Sequence, residues 1–462
     1  MAVPPQSASG PAVLTDGLPT PRRYWAIAVI ILAIAMSVLD STIVNVALPS
    51  IAREFAASPE ASVWVVNAYQ LAILTLLLPL AALGEIVGYR RVSQAGMALF
   101  TAASLGCALA PSLLTLSIAR VLQGVGAAGI MSVNPALVRY TYPQRALGRA
   151  VGINALAVAV AAALGPTLAA GVLAIADWRW LFGINVPVGL VTLAISLRAL
   201  PSSDTARRRL NYGGALLYAL ALALSLSGLQ ALAHDAATAA AVVQILAGVL
   251  LGWLLLRHER GRSAPLVPFD LLARPIFALS LATSVCSFMA QMCAFVALPF
   301  EIQRFGHSAV ATGLLMTPWP LALACVAPIA GRLADRHPAG ILGGIGLLLL
   351  SLGLALLALY PPQGPPLWFL ARMALCGLGF GLFQAPNNRT ILAAAPRART
   401  GAAGGMLSTA RLSGQTLGAA GVALLFRAGG IEGAHLALWL ACVLALAGAT
   451  ASLARLKHVP PP

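Results

Sequence analysis

Charge is what this sequence has least of. Only 9% of its 462 residues are Asp, Glu, Lys or Arg, against roughly 25% in a soluble globular chain. So few charges cannot coat a water-facing fold, and lipid is the expected solvent. Lysine is almost absent, Lys457 being the single one. A phosphate-binding loop of the GxxxxGKS/T kind needs a lysine within it, so this chain carries no ATP-driven engine. The six cysteines (Cys107, Cys286, Cys293, Cys325, Cys376, Cys442) lie in apolar runs with no CxxC or metal-ligand spacing. They read as small core residues. The six histidines fall in loops or at the ends of apolar runs, and no nucleophile sits beside a base. Neither an enzyme nor a cofactor or metal is expected.

What is present is apolar: 60% of the residues are hydrophobic and the mean hydropathy is +0.88. A spanning helix needs about 20 mostly apolar residues. Lipid leaves no partner for an unpaired backbone group, so only helices or closed barrels cross it. Long continuous runs rather than alternating short ones select helices. Fourteen are expected, near 25–48, 62–83, 92–110, 114–137, 149–173, 180–200, 212–232, 236–256, 276–298, 309–331, 339–359, 367–388, 400–426 and 434–455. Residues 1–20 hold no apolar stretch, so the first span is expected to serve as an uncleaved signal anchor.

The net charge of +16 would suggest nucleic acid in a soluble protein. Here the basic residues are dispersed between apolar runs, and no nucleic acid is expected. Their distribution instead sets orientation. With the N-terminus inside, 22 of the 29 basic residues fall in cytoplasmic segments. Only Arg53, Arg179, Arg304 and Arg427 lie opposite, and Arg120, Arg372 and Arg411 lie within spans. By the positive-inside rule both termini are cytoplasmic. The segment 257–275, mixed basic and apolar, is expected on the inner membrane surface.

The chain also repeats itself. Span 2 ends in ALGEIVGYRR (82–91) and span 10 in GRLADRHPAG (331–340). Span 4 carries Arg120 before GVGAAG, and span 12 carries Arg372 before GLGFG. This divides the chain into a tail (1–24), a six-helix half (25–200), two inserted spans with their linker (201–257), an amphipathic loop (258–275), a second six-helix half (276–456) and a short tail (457–462). Paired halves of this kind are typical of secondary transporters that rock around a midplane site.

Asp40 is the one acidic residue expected deep within a span. An intramembrane carboxylate marks an ion or proton path by default. Burial favours a neutral carboxyl and a nearby cation an ionised one, so moving such a group between the two environments binds and releases a proton. One carboxylate makes a thin sodium site; a proton gradient is the expected energy source. Arg120 lies within about 3 Å of the same depth and is its expected partner, with Gln123 on the same helix face. Structural ion pairing of two helices is the competing reading. Protonation of Asp40 is expected to free Arg120 and shift the inward–outward balance.

Several motifs resemble the fourteen-span drug:proton antiporter family of the major facilitator superfamily. LDSTIVNVALPSI (39–51), which holds Asn45, is similar to that family's first-helix signature. ALGEIVGYRR resembles the loop 2–3 motif, with Glu85 where aspartate is usual and Ile86 where a basic residue is common. RVLQGVGAAG (120–129) resembles the span-4 arginine motif. LGPTLAAG (164–171) resembles the antiporter motif, with Ala170 in place of a frequent glycine. WRWLFGINVPVG (178–189) resembles the entry to span 6.

The resemblance implies an all-α major facilitator fold in a bacterial cytoplasmic membrane, acting as a monomer that exports small amphiphilic molecules. Import or substrate sensing on the same fold is the alternative. Gating is expected at Glu85, Gly88, Arg90, Arg91, Arg332, Asp335 and Arg336, and at Gly165 and Pro166. Polar and apolar positions expected to line the substrate cavity are Gln123, Asn45, Gln70, Gln291, Arg411, Phe288 and Met292. The partners expected are the small-molecule substrate and the bilayer. Nothing in the sequence supports a periplasmic adaptor or outer-membrane channel.

Overall fold

The computed structural model describes residues 17–143, 147–203, 211–232, 238–260, 269–334, 336–359, 366–394 and 400–458. Among them there is no strand. The first half comprises α1 (Thr20–Glu54), α2 (Pro59–Ser62), α3 (Trp64–Val87), α4 (Tyr89–Ala108), α5 (Leu113–Thr141), α6 (Leu147–Ile175), α7 (Trp180–Gly183) and α8 (Asn185–Ala199). Two inserted helices follow, α9 (Tyr212–Ala231) and α10 (Thr238–Glu259). After a short α11 (Phe269–Leu272) the second half runs through α12 (Pro275–Arg304), α13 (Ala309–Met316), α14 (Pro318–Leu333), α15 (Ala339–Leu359), α16 (Pro366–Ala393), α17 (Thr400–Gly429) and α18 (Gly433–Ala454).

Every stretch expected to span coincides with a long helix or a broken pair of helices. Eleven of these, among the described residues, are long and apolar enough to cross a membrane. The other three are α4, α6 and α17. Helix α4 opens on two arginines and carries Ser, Gln and Thr, and α17 carries Arg411 and Gln415. Both are paired against neighbouring helices, where polar residues have protein around them. The outward faces are apolar: Leu105, Ile118, Leu190, Leu246 and Val443 are all exposed. A continuous exposed apolar surface on this scale marks a bilayer-facing wall.

The halves repeat at the level of single residues. VALP occurs at 46–49 in α1 and again at 296–299 in α12, with a proline inside each helix. Both chains leave their first helix through a left-handed residue, Ala56 at φ 47° and Gly306 at φ 87°. Serine then caps the next element in each: Ser58 Oγ accepts from Ala61 N, and Ser308 Oγ from Ala311 N. The third and fourth spans of each half, α4 with α5 and α15 with α16, touch through glycine. A Cβ on Gly126 would stand 2.5 Å from the backbone nitrogen of Phe100, and one on Gly379 would stand 2.5 Å from the carbonyl of Gly346. Small residues at such crossings let backbones pack closely in lipid.

Several hydrogen bonds join the two halves. Arg53 Nη2 donates to Gln303 Oε1 at 3.3 Å, and Gln303 Nε2 donates to the Val46 carbonyl at 3.4 Å. Thr167 and Thr317 share a hydroxyl bond of 2.8 Å, and Gln70 Nε2 approaches Met292 Sδ at 3.8 Å. All four lie toward the side of the bundle away from the N-terminal end of α1.

The inserted helices pack on each other and against the first half, where Tyr218 Oη donates to the Leu74 carbonyl. Of the amphipathic loop expected at 258–275, residues 261–268 lie outside the described residues, as does most of the N-terminal tail.

Candidate functional site

Asp40 and Arg120 meet. Both are buried, at 1% and 0% exposure, and Arg120 Nη1 donates directly to Asp40 Oδ2. The matched depth read from the sequence becomes a direct ion pair between α1 and α5. The other carboxylate oxygen, Oδ1, accepts from Gln123 Nε2 at 2.9 Å and from Asn185 Nδ2 at 3.0 Å. Asp40 therefore holds three donors from two helices beyond its own.

Arg120 is equally engaged. Its Nη1 also donates to Gln123 Oε1 at 2.6 Å, and its Nε donates to the Val65 carbonyl at 2.9 Å. The guanidinium lies over the Tyr69 ring at 4.1 Å and near that of Phe182 at 5.5 Å. Tyr69 Oη donates to the Ser37 carbonyl at 2.7 Å. Gln123 Nε2 further donates to Ser104 Oγ at 2.8 Å, and Cys107 Sγ donates to Gln123 Oε1 at 3.5 Å. Five helices, α1, α3, α4, α5 and α8, converge on one buried charge pair. Removing one member of such a pair leaves a charge uncompensated, at a cost of roughly 3–5 kcal/mol.

Asn185, Tyr69, Ser104 and Cys107 have no role in the sequence reading. Asn185 lies inside WRWLFGINVPVG, and the structure gives that segment a mechanical sense. Arg179 Nη1 bonds Glu54 Oε1 at 2.7 Å, and Trp178 Nε1 donates to Glu54 Oε2. This pins the start of α7 to the end of α1, and α8 then begins with Asn185 at the carboxylate.

Among the described residues the second half has no counterpart of this pair. By the VALP register, Ala290 stands where Asp40 does. By the glycines of α5 and α16, Met373 stands where Arg120 does, and both are fully buried. The expectation that Arg372 mirrors Arg120 is thereby corrected. One residue is about 100° of helical turn, and Arg372 faces α15, where its Nη1 donates to the Leu356 carbonyl at 3.0 Å.

The second half instead buries Arg455, placed by its sequence position in a cytoplasmic segment. It is 2% exposed and donates to Ser280 Oγ at 3.0 Å, Asn387 Oδ1 at 2.6 Å and Ser452 Oγ at 2.5 Å. Glu301, near the end of α12, is another buried acid, with Glu259 at the end of α10, that the sequence reading set outside a span.

The expected cavity residues divide. A narrow cleft lined by Ser37, Ser41, Tyr69, Gln70, Arg411 and Gln415 among others lies between α1, α3 and α17. Gln70 and Arg411 line it. Met292 reaches Gln70 across the two halves. Asn45 is buried, with neither amide atom bonded. Gln123 belongs to the charge network. Phe288 packs edge-on against Phe380 at 5.2 Å inside the second half, and Gln291 is partly exposed.

The expected gating residues also divide. Gly88 sits at φ 100°, a conformation that favours glycine, and turns α3 into α4. Arg90 Nη2 donates to the Leu197 carbonyl at the end of α8, and Arg91 Nη1 to the Val87 carbonyl at 3.4 Å. Both bonds stay within the first half. Glu85 is partly buried at the end of α3, Arg332 and Arg336 are exposed, and Asp335 lies outside the described residues. Gly165 and Pro166 form a crossing point. A Cβ on Gly165 would stand 2.1 Å from Thr42 Oγ1, and one on Gly313 would stand 2.6 Å from the Pro166 carbonyl. The motif thus touches α1 on one side and α13, in the other half, on the next.

Residues 30–419 match the family model of the Major Facilitator Superfamily. The chain belongs to this superfamily. It is a multi-pass membrane transporter, not an enzyme. It is 48% identical to the uncharacterized transporter YebQ of Escherichia coli (strain K12), over 97% of this chain and 99% of the relative. It is 32% identical to the multidrug resistance protein Stp of Mycobacterium tuberculosis (strain ATCC 25618 / H37Rv), over 89% of this chain and 76% of that one. The fold resembles the crystal structure of a D-xylose–proton symporter, with a TM-score of 0.69 over 95% of this chain and 98% of that one at 15% identity.

Proposed function

We propose that this major facilitator transporter exports small amphiphilic molecules in exchange for protons, by alternating access, across a bacterial cytoplasmic membrane. In this reading the fourteen long helices all span, and both termini are cytoplasmic. The observation that carries the proposal is the buried pair of Asp40 and Arg120 beside a cleft between the halves. An ionised Asp40 holds Arg120, Gln123 and Asn185 together. A proton arriving on the carboxylate cancels its charge and removes the partner of Arg120, which keeps its bonds to Val65 and Gln123. The tie between α1, α5 and α8 then loosens, and the halves rock. The four bonds joining the halves on the far side fit a form open to the cytoplasm. The multidrug resistance protein among the relatives supports export.

The test is accumulation of cationic, neutral and anionic fluorescent compounds in efflux-deficient cells, with and without a protonophore. Lower accumulation with the native protein, abolished by Asp40→Asn or by uncoupling, is the expected result. Higher accumulation in cells carrying the native protein would establish import instead. Full proton-driven export by Asp40→Asn would remove Asp40 from the coupling step.

A further inference from the structure

Arg411 projects from α17 into the cleft between the halves. Its Nε is shut off from solvent and has no acceptor among the described residues. The cleft offers no carboxylate to balance it: its lining is Ser37, Ser41, Tyr69, Gln70 and Gln415 on the polar side, with Val38, Ile73, Met131 and Leu412 on the apolar side. The nearest acid along the lining helices is Asp40, and both its oxygens are already taken by Arg120, Gln123 and Asn185. The serines carry no charge to balance it and donate their hydroxyls within their own helix, Ser37 to the Ala33 carbonyl and Ser41 to the Val38 carbonyl. Arg411 as a whole is only partly exposed, and a carboxylate meets the planar donors of a guanidinium in pairs.

We infer that the substrate is an amphiphilic anion whose head group, a carboxylate or sulfonate, is bound by Arg411 while its apolar body lies on Ile73, Met131 and Leu412. This deepens the transport reading above and rests on it for the name of substrate. Tyr69 borders the cleft and also carries Arg120 on its ring. The bound anion and the proton site therefore share one side chain as a wall. A cationic drug would meet like charge at the same place.

The test measures binding without any gradient. The protein in phosphatidylcholine nanodiscs is titrated with dansyl-phenylalanine, its methyl ester and dansylcadaverine, which carry negative, zero and positive charge. The native protein is expected to bind the carboxylate about tenfold or more tighter than the ester, and the amine weakest. Arg411→Gln should bring the acid down to the affinity of the ester while leaving ester binding unchanged. Arg411→Lys should keep part of the preference, which shows that the site is folded. Equal affinity for acid and ester in the native protein, binding of none of the three, or a preference that survives Arg411→Gln would overturn the inference. Asp40→Asn is expected to keep the preference. Loss of proton-driven export with the preference intact would therefore strike the coupling mechanism and leave the charge class standing.

Discussion

Arg53 donates to the side chain of Gln303, and the two residues stand 250 positions apart at the same place in the two halves. Each lies four residues past the proline of its first helix, just before the left-handed turn at Ala56 or Gly306. The pseudo-twofold axis of the fold therefore passes close to this bond. A contact on that axis joins the two halves through equivalent residues.

Breaking it favours the alternative state. Exposed side-chain bonds contribute about 0.5–1 kcal/mol each, so Arg53→Ala combined with Gln303→Ala should shift the conformational balance by several-fold. Spin labels at Glu60 and Val310 would read this as growth of a longer-distance population by electron–electron resonance. An unchanged distance distribution would show that Thr167, Thr317 and the helix crossings hold this side without the pair.

Asn185 supplies one of the three donors to Asp40. Asn185→Ala removes a charge-assisted bond worth about 1.5–3 kcal/mol. Proton-driven efflux is expected to fall by about tenfold, less than on loss of Asp40 itself, with a shift in its pH profile. A fall in melting temperature with an unaltered pH profile would assign Asn185 to folding alone.

Gly165 meets Thr42 so closely that an added methyl cannot fit without movement of α1. Gly165→Ala should destabilise the detergent-solubilised protein by about 1–3 kcal/mol. Thr42→Ala in the same chain should recover part of this, since it removes the hydroxyl but leaves the Cβ. Melting curves of the single and double variants decide the matter, and simple additivity would place the strain elsewhere.

The surface pair of Arg304 and Glu432 offers a control on pH dependence. A side-chain bond from Arg304 holds the Glu432 carboxyl below its ordinary value. A lowered carboxyl stabilises the folded state above the ordinary value and loses that contribution as pH falls through its own. Its effect is thus confined to acid below about pH 4.5. Glu432→Gln should leave the efflux profile between pH 5.5 and 8 unchanged. A shift in that range would tie this loop pair to the cycle.

Much of this was legible in the residues because the physics is local. Lipid selects long apolar helices wherever they occur, and the basic loops between them carry the orientation signal. The shared depth of Asp40 and Arg120 is legible because two helices of known rise place a residue by counting, and the family resemblance sets both helices beside a central cavity. Depth says nothing about rotation. Arg372 shares the depth of Arg120 but turns away by one residue, and Met373 takes the buried position.

Asn185 was hidden for a related reason. It is an ordinary asparagine in an apolar entry segment until Glu54, Trp178 and Arg179 fix the angle at which α8 meets α1. Arg455 likewise sits where topology calls for a surface cation, and only the approach of Ser280, Asn387 and Ser452 from three helices buries it. The sequence by itself determined the membrane setting, the paired halves and the one carboxylate they were built around. The tertiary structure decided which donors reach that carboxylate and set Arg411 in a cleft whose lining holds none. Those depend on helix rotation and crossing, which no single helix contains.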